Sequence, residues 1–264
     1  MNNPITPTEN QQALHLPSAP AVSLSITIPA YLEAGNLAKL LPSIKRAAAA
    51  LTPNYEVLIV DTERPLDSTA AVCVVHGVRH IYRTGGNSYG DAIRTIVREA
   101  RGEYVLTMDA DGSHSPYYFA SMWAARECYD ITIGSRYAPG GGTENPQILI
   151  FMSYIVNLIF RIAFSIRAKD VTNSFRLYRR DLLSELRLES NNFDILEEIL
   201  IKATLRCPPA RIGEVPITFR RRKAGKSKRK LTQFAFGYLN TLRRLRRFAK
   251  SAKRENSIRE SFAK

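Results

Sequence analysis

The stretch YGDAIRTIVREARGEYVLTMDADGSHSP, Tyr89 to Pro116, holds the two periodicities that decide the fold. Tyr89 to Ala100 spaces its apolar residues as a helix does, and Gly102 just beyond reads as the stop. Tyr104 to Met108 (YVLTM) is an unbroken apolar run of strand length, cut off at Asp109-Ala110-Asp111. The same alternation extends upstream. Ser23 to Ile28 reads as a strand ending at Pro29, and Asn36 to Leu51 as a helix with an apolar face from Leu37 to Leu51. Tyr55 to Val60 is a strand stopped by Asp61, Ala70 to His76 a short helix and Val78 to Tyr82 another strand. Downstream, Tyr117 to Arg126 reads as a helix, and Asp130 to Ile133 opens a further strand. Buried strands alternating with helices predict an α/β fold with a mostly parallel sheet. Ligands of such sheets sit at the carboxyl ends of the strands. Pro29 to Glu33, Asp61 and Asp109 to Asp111 all belong to such ends.

The chain of 264 residues is 45% hydrophobic and 23% charged, which suits one large domain with a tail. Cys73, Cys128 and Cys207 are far apart and form no C-x-x-C pair, so they read as small buried hydrophobes rather than a zinc site or disulfide framework. Residues 1 to 22 are polar and proline-bearing, predict a disordered segment and show no secretory signal pattern. Charge is uneven. Arg206 to Lys264 carries 19 Lys/Arg against 3 Asp/Glu, leaving −2 for residues 1 to 205 of the total +14. A near-neutral body with a basic last quarter implies a polyanionic partner. Nucleic acid is the poorer choice, because the basic run Arg220 to Lys230 lacks interleaved aromatics on which bases could stack.

Two segments have the composition of interfacial helices. Ile148 to Ile166 is apolar over 19 residues, but Ser153, Asn157, Arg161 and Ser165 recur at every fourth place and form one stripe. An Arg and an Asn in so short a run favour a helix lying flat or buried over a membrane span. In residues 231 to 264, Leu231, Phe234, Tyr238, Leu242, Leu245 and Phe248 form an apolar face flanked by Arg243, Arg244, Arg246, Arg247 and Lys250. That pattern fits either a membrane-surface helix or a helix docked on the body with solvated arginines.

The Asp109-x-Asp111 pair follows a buried strand, where residues i and i+2 can point the same way. Two carboxylates suit Mg²⁺ or Mn²⁺, hard cations commonly completed by substrate phosphates.

With these residues in place, the chain resembles a known family, the polyprenyl-phosphate glycosyltransferases of the dolichol-phosphate-mannose-synthase type, within inverting glycosyltransferase family 2. ITIPAYLEAGNL (Ile26 to Leu37) resembles the family's "IPTYNEAENL", and Tyr89 to Pro116 is the densest match, followed by IGSRYAPGG (Ile133 to Gly141). DVTNSFRLYRR (Asp170 to Arg180) resembles "DxTSGFRAYRR", and IGEVPITFRRRKAGKSK (Ile212 to Lys228) resembles "IxEVPIxFxxRxxGxSK". The resemblance implies a GT-A (nucleotide-diphospho-sugar transferase) fold over residues 23 to 230, with Ile148 to Ile166 as an interfacial or buried helix. It implies metal-dependent, inverting transfer of a hexose, mannose from GDP-mannose first among the candidates, onto dolichyl or undecaprenyl phosphate. The implied setting is the cytosolic face of an anionic membrane, with peripheral attachment.

Roles follow position by position from that resemblance. Pro29, Tyr31, Glu33 and Asp61 would line the nucleotide site, with Asp109 and Asp111 on the metal and diphosphate. Arg136, Arg161 and Arg176 would meet the acceptor phosphate, and Glu198 would stand near the acceptor. Arg222, Ser227 and Lys228 would close over the donor. The chain departs from the family pattern at Thr62, Ser113, Tyr154 and Leu196. Two other readings remain: a glycosyltransferase acting on a hydroxyl acceptor, with Glu197 or Glu198 as general base, and a catalytically weak nucleotide-sugar or membrane-binding protein.

Overall fold

A computed structural model describes residues 21–206, 208–221 and 240–251. The chain runs β1 (Leu24–Pro29), α1 (Ala34–Ala49), β2 (Tyr55–Asp61), α2 (Thr69–His76), β3 (Arg79–Tyr82), α3 (Tyr89–Glu99) and β4 (Tyr104–Thr107). A 3-10 turn at Pro116–Tyr118 leads into α4 (Phe119–Ala124), then β5 (Ile131–Ser135), β6 (Gly142–Thr143) and α5 (Gln147–Phe164). β7 (Arg176–Arg179), α6 (Arg180–Ser184), α7 (Ile195–Thr204), β8 (Ile212–Pro216) and β9 (Thr218–Phe219) follow, and residues 240–251 form a last helix, α8.

Seven strands make one sheet in the order β3-β2-β1-β4-β7-β5-β8. β1, β2, β3 and β4 are mutually parallel, as are β5 and β8, while β7 is antiparallel to both of its neighbours. Side chains alternate across each strand, so neighbouring residues serve opposite layers. Val57 and Ile59 join the layer covered by α1, α2 and α4, and Leu58 and Val60 join the layer built with α3 and α7. Both faces are covered, which is why the strands read as continuous apolar runs.

The helix stop expected at Gly102 is corrected. α3 ends at Ala100 in an extended conformation, and Gly102 is needed for close packing instead. A Cβ there would lie 2.4 Å from the Ser25 nitrogen. The cysteine expectation holds for Cys73, which is buried, and fails for Cys128, which is exposed; Cys207 lies outside the described residues.

α5 and α8 both pack on the body, but by opposite faces. On α5, Asn157 and Phe160 are buried, while Ile148, Phe151, Tyr154, Ile155, Ile159 and Ile162 face outward. On α8, Leu245 is fully buried in the α7 layer beside a half-buried Leu242, and Arg243, Arg246, Arg247 and Lys250 are exposed. Of the two sequence readings of this helix, the docked one holds for Leu242 and Leu245, while Phe248 of the same face is exposed and Arg244 is half-buried rather than solvated; Leu231, Phe234 and Tyr238 lie outside the described residues.

Candidate active site

The strand order brings β2, β1 and β4 side by side, so three polar strand ends share one edge. The pairing is in register, with Pro29 opposite Val60 and Thr27 opposite Thr107. Beyond Pro29 the backbone turns sharply at Leu32, whose φ of 58° is in the left-handed region. A non-glycine residue there costs roughly 1–2 kcal/mol. Strain of this kind clusters at ligand edges. The family motif has Asn at this place, a residue that tolerates the conformation. Tyr31 is exposed, and Glu33 accepts a hydrogen bond from Asn36 Nδ2 at 2.6 Å. Asp61 lies beneath them, buried, with Oδ1 accepting the Thr62 N–H at 2.7 Å and Oδ2 at 3.2 Å from His80 Nε2. Arg83, which the sequence reading did not single out, is buried here. Its Nε donates to the Asp61 carbonyl at 2.8 Å and its Nη2 to the Ala30 carbonyl, tying the ends of β1 and β2 together.

Asp109 and Asp111 leave the end of β4 in a turn, with Ala110 between them buried in the core. Gly112 makes that turn possible, with φ at 78°. Asp111 Oδ1 accepts the Ser113 N–H at 3.0 Å, and Asp109 Oδ1 accepts from Ser174 Oγ at 2.9 Å. His114 is fully buried beneath the turn, and burial holds its pKa below the usual histidine range, so it is neutral near pH 7. Among the described residues no group of three His, Cys, Asp or Glu forms a closed metal site. Two carboxylates alone, both hard oxygen donors, fit a cation whose remaining ligands come from a bound diphosphate. A groove of about 690 Å³ opens beside Asp111 along α1, with Lys39, Arg46 and Arg220 among its lining residues. These cations suit an anionic occupant.

The second half of the site is at the ends of β5 and β7. Arg136 follows β5, and its guanidinium forks onto Asp170, Nε to Oδ2 at 2.8 Å and Nη2 to Oδ1 at 2.7 Å. Nη2 also donates to Thr172 Oγ1 at 2.8 Å and to Ser153 Oγ of α5 at 3.1 Å. Asn157, one turn further along α5, accepts the N–H groups of Val171 (2.7 Å) and Thr172 (3.2 Å) on Oδ1. Of the polar stripe read from the sequence, Ser153 and Asn157 therefore face the body and fasten the 170–174 loop, whereas Ser165 is exposed at the left-handed residue that ends α5. That loop touches Arg136 at one end and, through Ser174, Asp109 at the other.

Three assigned residues sit elsewhere than expected. Arg176 is fully buried and donates to the carbonyls of Asn173, Leu196 and Val171 at 2.6–2.7 Å, so it braces the loop from below and does not face an acceptor. Glu198 is also fully buried, paired with Lys202 at 2.7 Å and with Arg244 of α8 at 3.1 Å. Burial alone would raise its pKa, but hydrogen bonds from Arg244, Lys202 and Ser190 outweigh it and hold the pKa at about 2. It clamps α8 to α7. Arg161 is half-buried on the inward stripe, eight residues past Ser153 and thus ~12 Å along the helix from Arg136's contact. Arg222, Ser227 and Lys228 lie outside the described residues; Arg220 N–H donates to the Ser113 carbonyl at 3.0 Å, so the chain leads toward them from beside the Asp109–Ser113 turn.

Comparisons with known proteins agree with this architecture. The chain is 34% identical over 231 residues to a dolichol-phosphate mannosyltransferase of Pyrococcus furiosus, covering 85% of this chain and 64% of that protein. It thus spans just under two thirds of that relative's length. It is 30% identical over 221 residues to a dolichol-phosphate mannosyltransferase of Saccharomyces cerevisiae, covering 79% of this chain and 81% of the other. An undecaprenyl-phosphate mannosyltransferase of Micrococcus luteus is 33% identical over 214 residues, covering 76% and 85%. Among solved structures, glucosyl-3-phosphoglycerate synthase from Mycobacterium tuberculosis with Mn²⁺, uridine diphosphate and phosphoglyceric acid superposes with a TM-score of 0.66 at 15% identity, covering 85% and 78%. The same enzyme with Mg²⁺ and uridine diphosphate gives 0.62 at 14% identity, covering 83% and 76%. These two likenesses establish the GT-A-like fold. The family match, Glycosyl transferase family 2, spans residues 25–187 and takes in β1 to β7 with the whole polar edge, and by it the chain belongs to that family.

Proposed function

We propose that the chain transfers a hexose, mannose from GDP-mannose first among the candidates, from a nucleotide-sugar to a polyprenyl phosphate at the cytosolic face of a membrane. Residues 23–230 form the catalytic domain in this reading, and residues 231–264 a basic tail. The observation that carries it is that the 170–174 loop joins Asp109, at the end of β4, to Arg136, which is bonded to Ser153 of a helix whose outer face is apolar. A phosphate at Arg136 would thus have its lipid beside α5. The names of the three relatives given above, dolichol-phosphate or undecaprenyl-phosphate mannosyltransferases, support the same substrate class.

The edge of Pro29, Tyr31 and Glu33 would hold the nucleotide, with Asp109 and Asp111 at its diphosphate. When bound there, Mg²⁺ or Mn²⁺ would neutralise charge on the departing nucleoside diphosphate. A lipid phosphate is already anionic at neutral pH and needs no base to attack the anomeric carbon. The protein's work is then alignment, in one displacement that inverts the centre. The alternative of a hydroxyl acceptor needs a general base, and Glu198 is disfavoured because it is buried and clamped by two cations. Glu197 is equally buried.

Attachment would rest on the outward face of α5 with the exposed arginines of α8. The helix Gln147–Phe164 is long and apolar enough to cross a membrane by length and composition, with a mean hydropathy of 1.8. Its inward stripe, engaged by Arg136 and the 170–174 loop, favours a helix lying on the surface. A screen of radiolabelled nucleotide-sugars with dolichyl and undecaprenyl phosphate, with and without Mg²⁺ or Mn²⁺, tests the proposal. Asp109→Ala and Asp111→Ala should each lower transfer at least ~10²-fold, by analogy with removing a charge-stabilising group. Full activity in excess EDTA, or transfer only to water-soluble acceptors, would overturn it.

A further inference from the structure

Among the described residues His114 is the one histidine with no exposed surface, and both its ring nitrogens are engaged. The Asp109 backbone N–H points at Nδ1 at 3.0 Å, so Nδ1 is the acceptor and the ring proton is on Nε2. Nε2–H then donates to Asn173 Oδ1 at 3.0 Å. Asn173 is itself fixed, with Nδ2 donating to the Gly134 carbonyl at 2.6 Å and Oδ1 also accepting the Phe175 N–H at 3.2 Å. The imidazole is stacked on Phe175 (centroids 5.0 Å apart) and edge-on to Phe219 (5.2 Å), which leaves the ring little freedom to tilt. A polar relay therefore runs from the backbone at the end of β5, through two buried side chains, to the main chain of the first carboxylate. The family pattern quoted above has Ser at the place of Asn173, too short to span the same two partners.

We propose that His114 is a positioning residue for Asp109, oriented in turn by Asn173, so that this relay aims the Asp109 carboxylate at the diphosphate end of the donor site. The inference rests on the reading of Asp109 as a donor-site carboxylate. Removing the acceptor leaves a buried N–H without a partner, and the turn must shift to find one. Side chains that orient a metal-binding or catalytic group through one intervening contact change affinity or activity by roughly 10- to 100-fold when lost.

The test measures binding of Mn²⁺ to the full-length protein in the presence of GDP or UDP by electron paramagnetic resonance, beside melting temperature and donor kinetics. His114→Phe keeps the ring and removes both polar contacts; it should weaken Mn²⁺–nucleotide binding roughly 10- to 100-fold. It should also raise the donor KM. His114→Asn, whose Oδ1 can stand where Nδ1 stood, should recover most of that loss. Asn173→Ala should fall between, and the double variant His114→Phe/Asn173→Ala should be no worse than His114→Phe. Asp109→Asn serves as the reference. If it binds Mn²⁺ and nucleotide as the parent does, the reading of Asp109 fails, and the relay with it. If Asp109→Asn loses binding while His114→Phe keeps it, only the positioning role is overturned. Equal losses in His114→Phe and His114→Asn, tracking equal drops in melting temperature, would reduce the relay to a folding contact and overturn the proposal as well.

Discussion

Helices α5 and α8 are both amphipathic, and the fold uses them in opposite senses. α8 buries Leu245 and half-buries Leu242 against the α7 layer, points Arg244 inward at Glu198 and turns Arg243, Arg246 and Arg247 to water. α5 buries Asn157 beside Phe160, bonds Ser153 to Arg136, and turns Phe151, Ile155, Ile159 and Ile162 outward. In water the first arrangement is the stable one, because apolar area is what folding hides. The second leaves an apolar patch in water, the kind that marks an interaction surface. Amphipathicity thus establishes that a helix has two sides and leaves open which side the protein takes. Hydrogen-bond partners decided that for α5. Asn157 has the Val171 and Thr172 amides to satisfy, and Ser153 has Arg136.

The largest effect expected from breaking this contrast is at the clamp of α8. Glu198→Gln leaves Lys202 and Arg244 without their buried partner, and a broken buried pair costs about 3–5 kcal/mol. Chemical denaturation should show that loss. Intact stability with lost transfer would return Glu198 to the acceptor site. The same clamp predicts acid lability. The folded-state pKa of Glu198 is depressed from 4.5 to about 2, so its stabilisation is fully present above about pH 5 and is lost as pH falls toward 2. Melting temperature against pH should fall in that window for the parent and stay flatter for Glu198→Gln.

On α5 the expectation is for the membrane. Phe151 and Ile162 are 61% and 73% exposed, and moving such side chains out of water is worth about 1.5–3 kcal/mol each. Phe151→Glu with Ile162→Glu should abolish flotation with anionic liposomes while leaving the melting temperature unchanged. Resistance of the parent to alkaline carbonate would mean that the helix spans the bilayer instead. The inward face is tested by Asn157→Leu, which strands the buried Val171 N–H and the half-buried Thr172 N–H at about 1–3 kcal/mol of stability. Asn157→Asp keeps the accepting oxygen and should lose less; equal losses would show that the amide's shape matters more than its hydrogen bonds. The smallest effect belongs to α8's outer surface. Arg246→Ala and Arg247→Ala should each weaken binding to anionic vesicles by about 1 kcal/mol, an effect that high salt removes. Salt-independent binding would leave α5 as the sole anchor.

The sequence by itself determined the strands β1 to β5, the helices between them and the polar ends at Pro29, Asp61 and Asp109. Both faces of the sheet are covered, so each strand is an apolar run, and each run stops where the chain leaves the two apolar layers for the polar edge. It also determined the stripe of Ser153, Asn157 and Arg161 on α5, since a four-residue spacing is a property of the helix alone, but not that the helix would end before Ser165. Tertiary structure decided the rest. β7 is four residues long and antiparallel, and no local pattern says that it enters between β4 and β5 and carries the 170–174 loop to Asp109. Arg176, Arg136 and Glu198 are alike in sequence as charged residues within motifs. They differ in what surrounds the charge: three backbone carbonyls around Arg176, a single forked carboxylate and two hydroxyls around Arg136, two cations around Glu198. A charge can serve a ligand only where its neighbours leave it a face toward the site, and those neighbours come from chain segments tens of residues away.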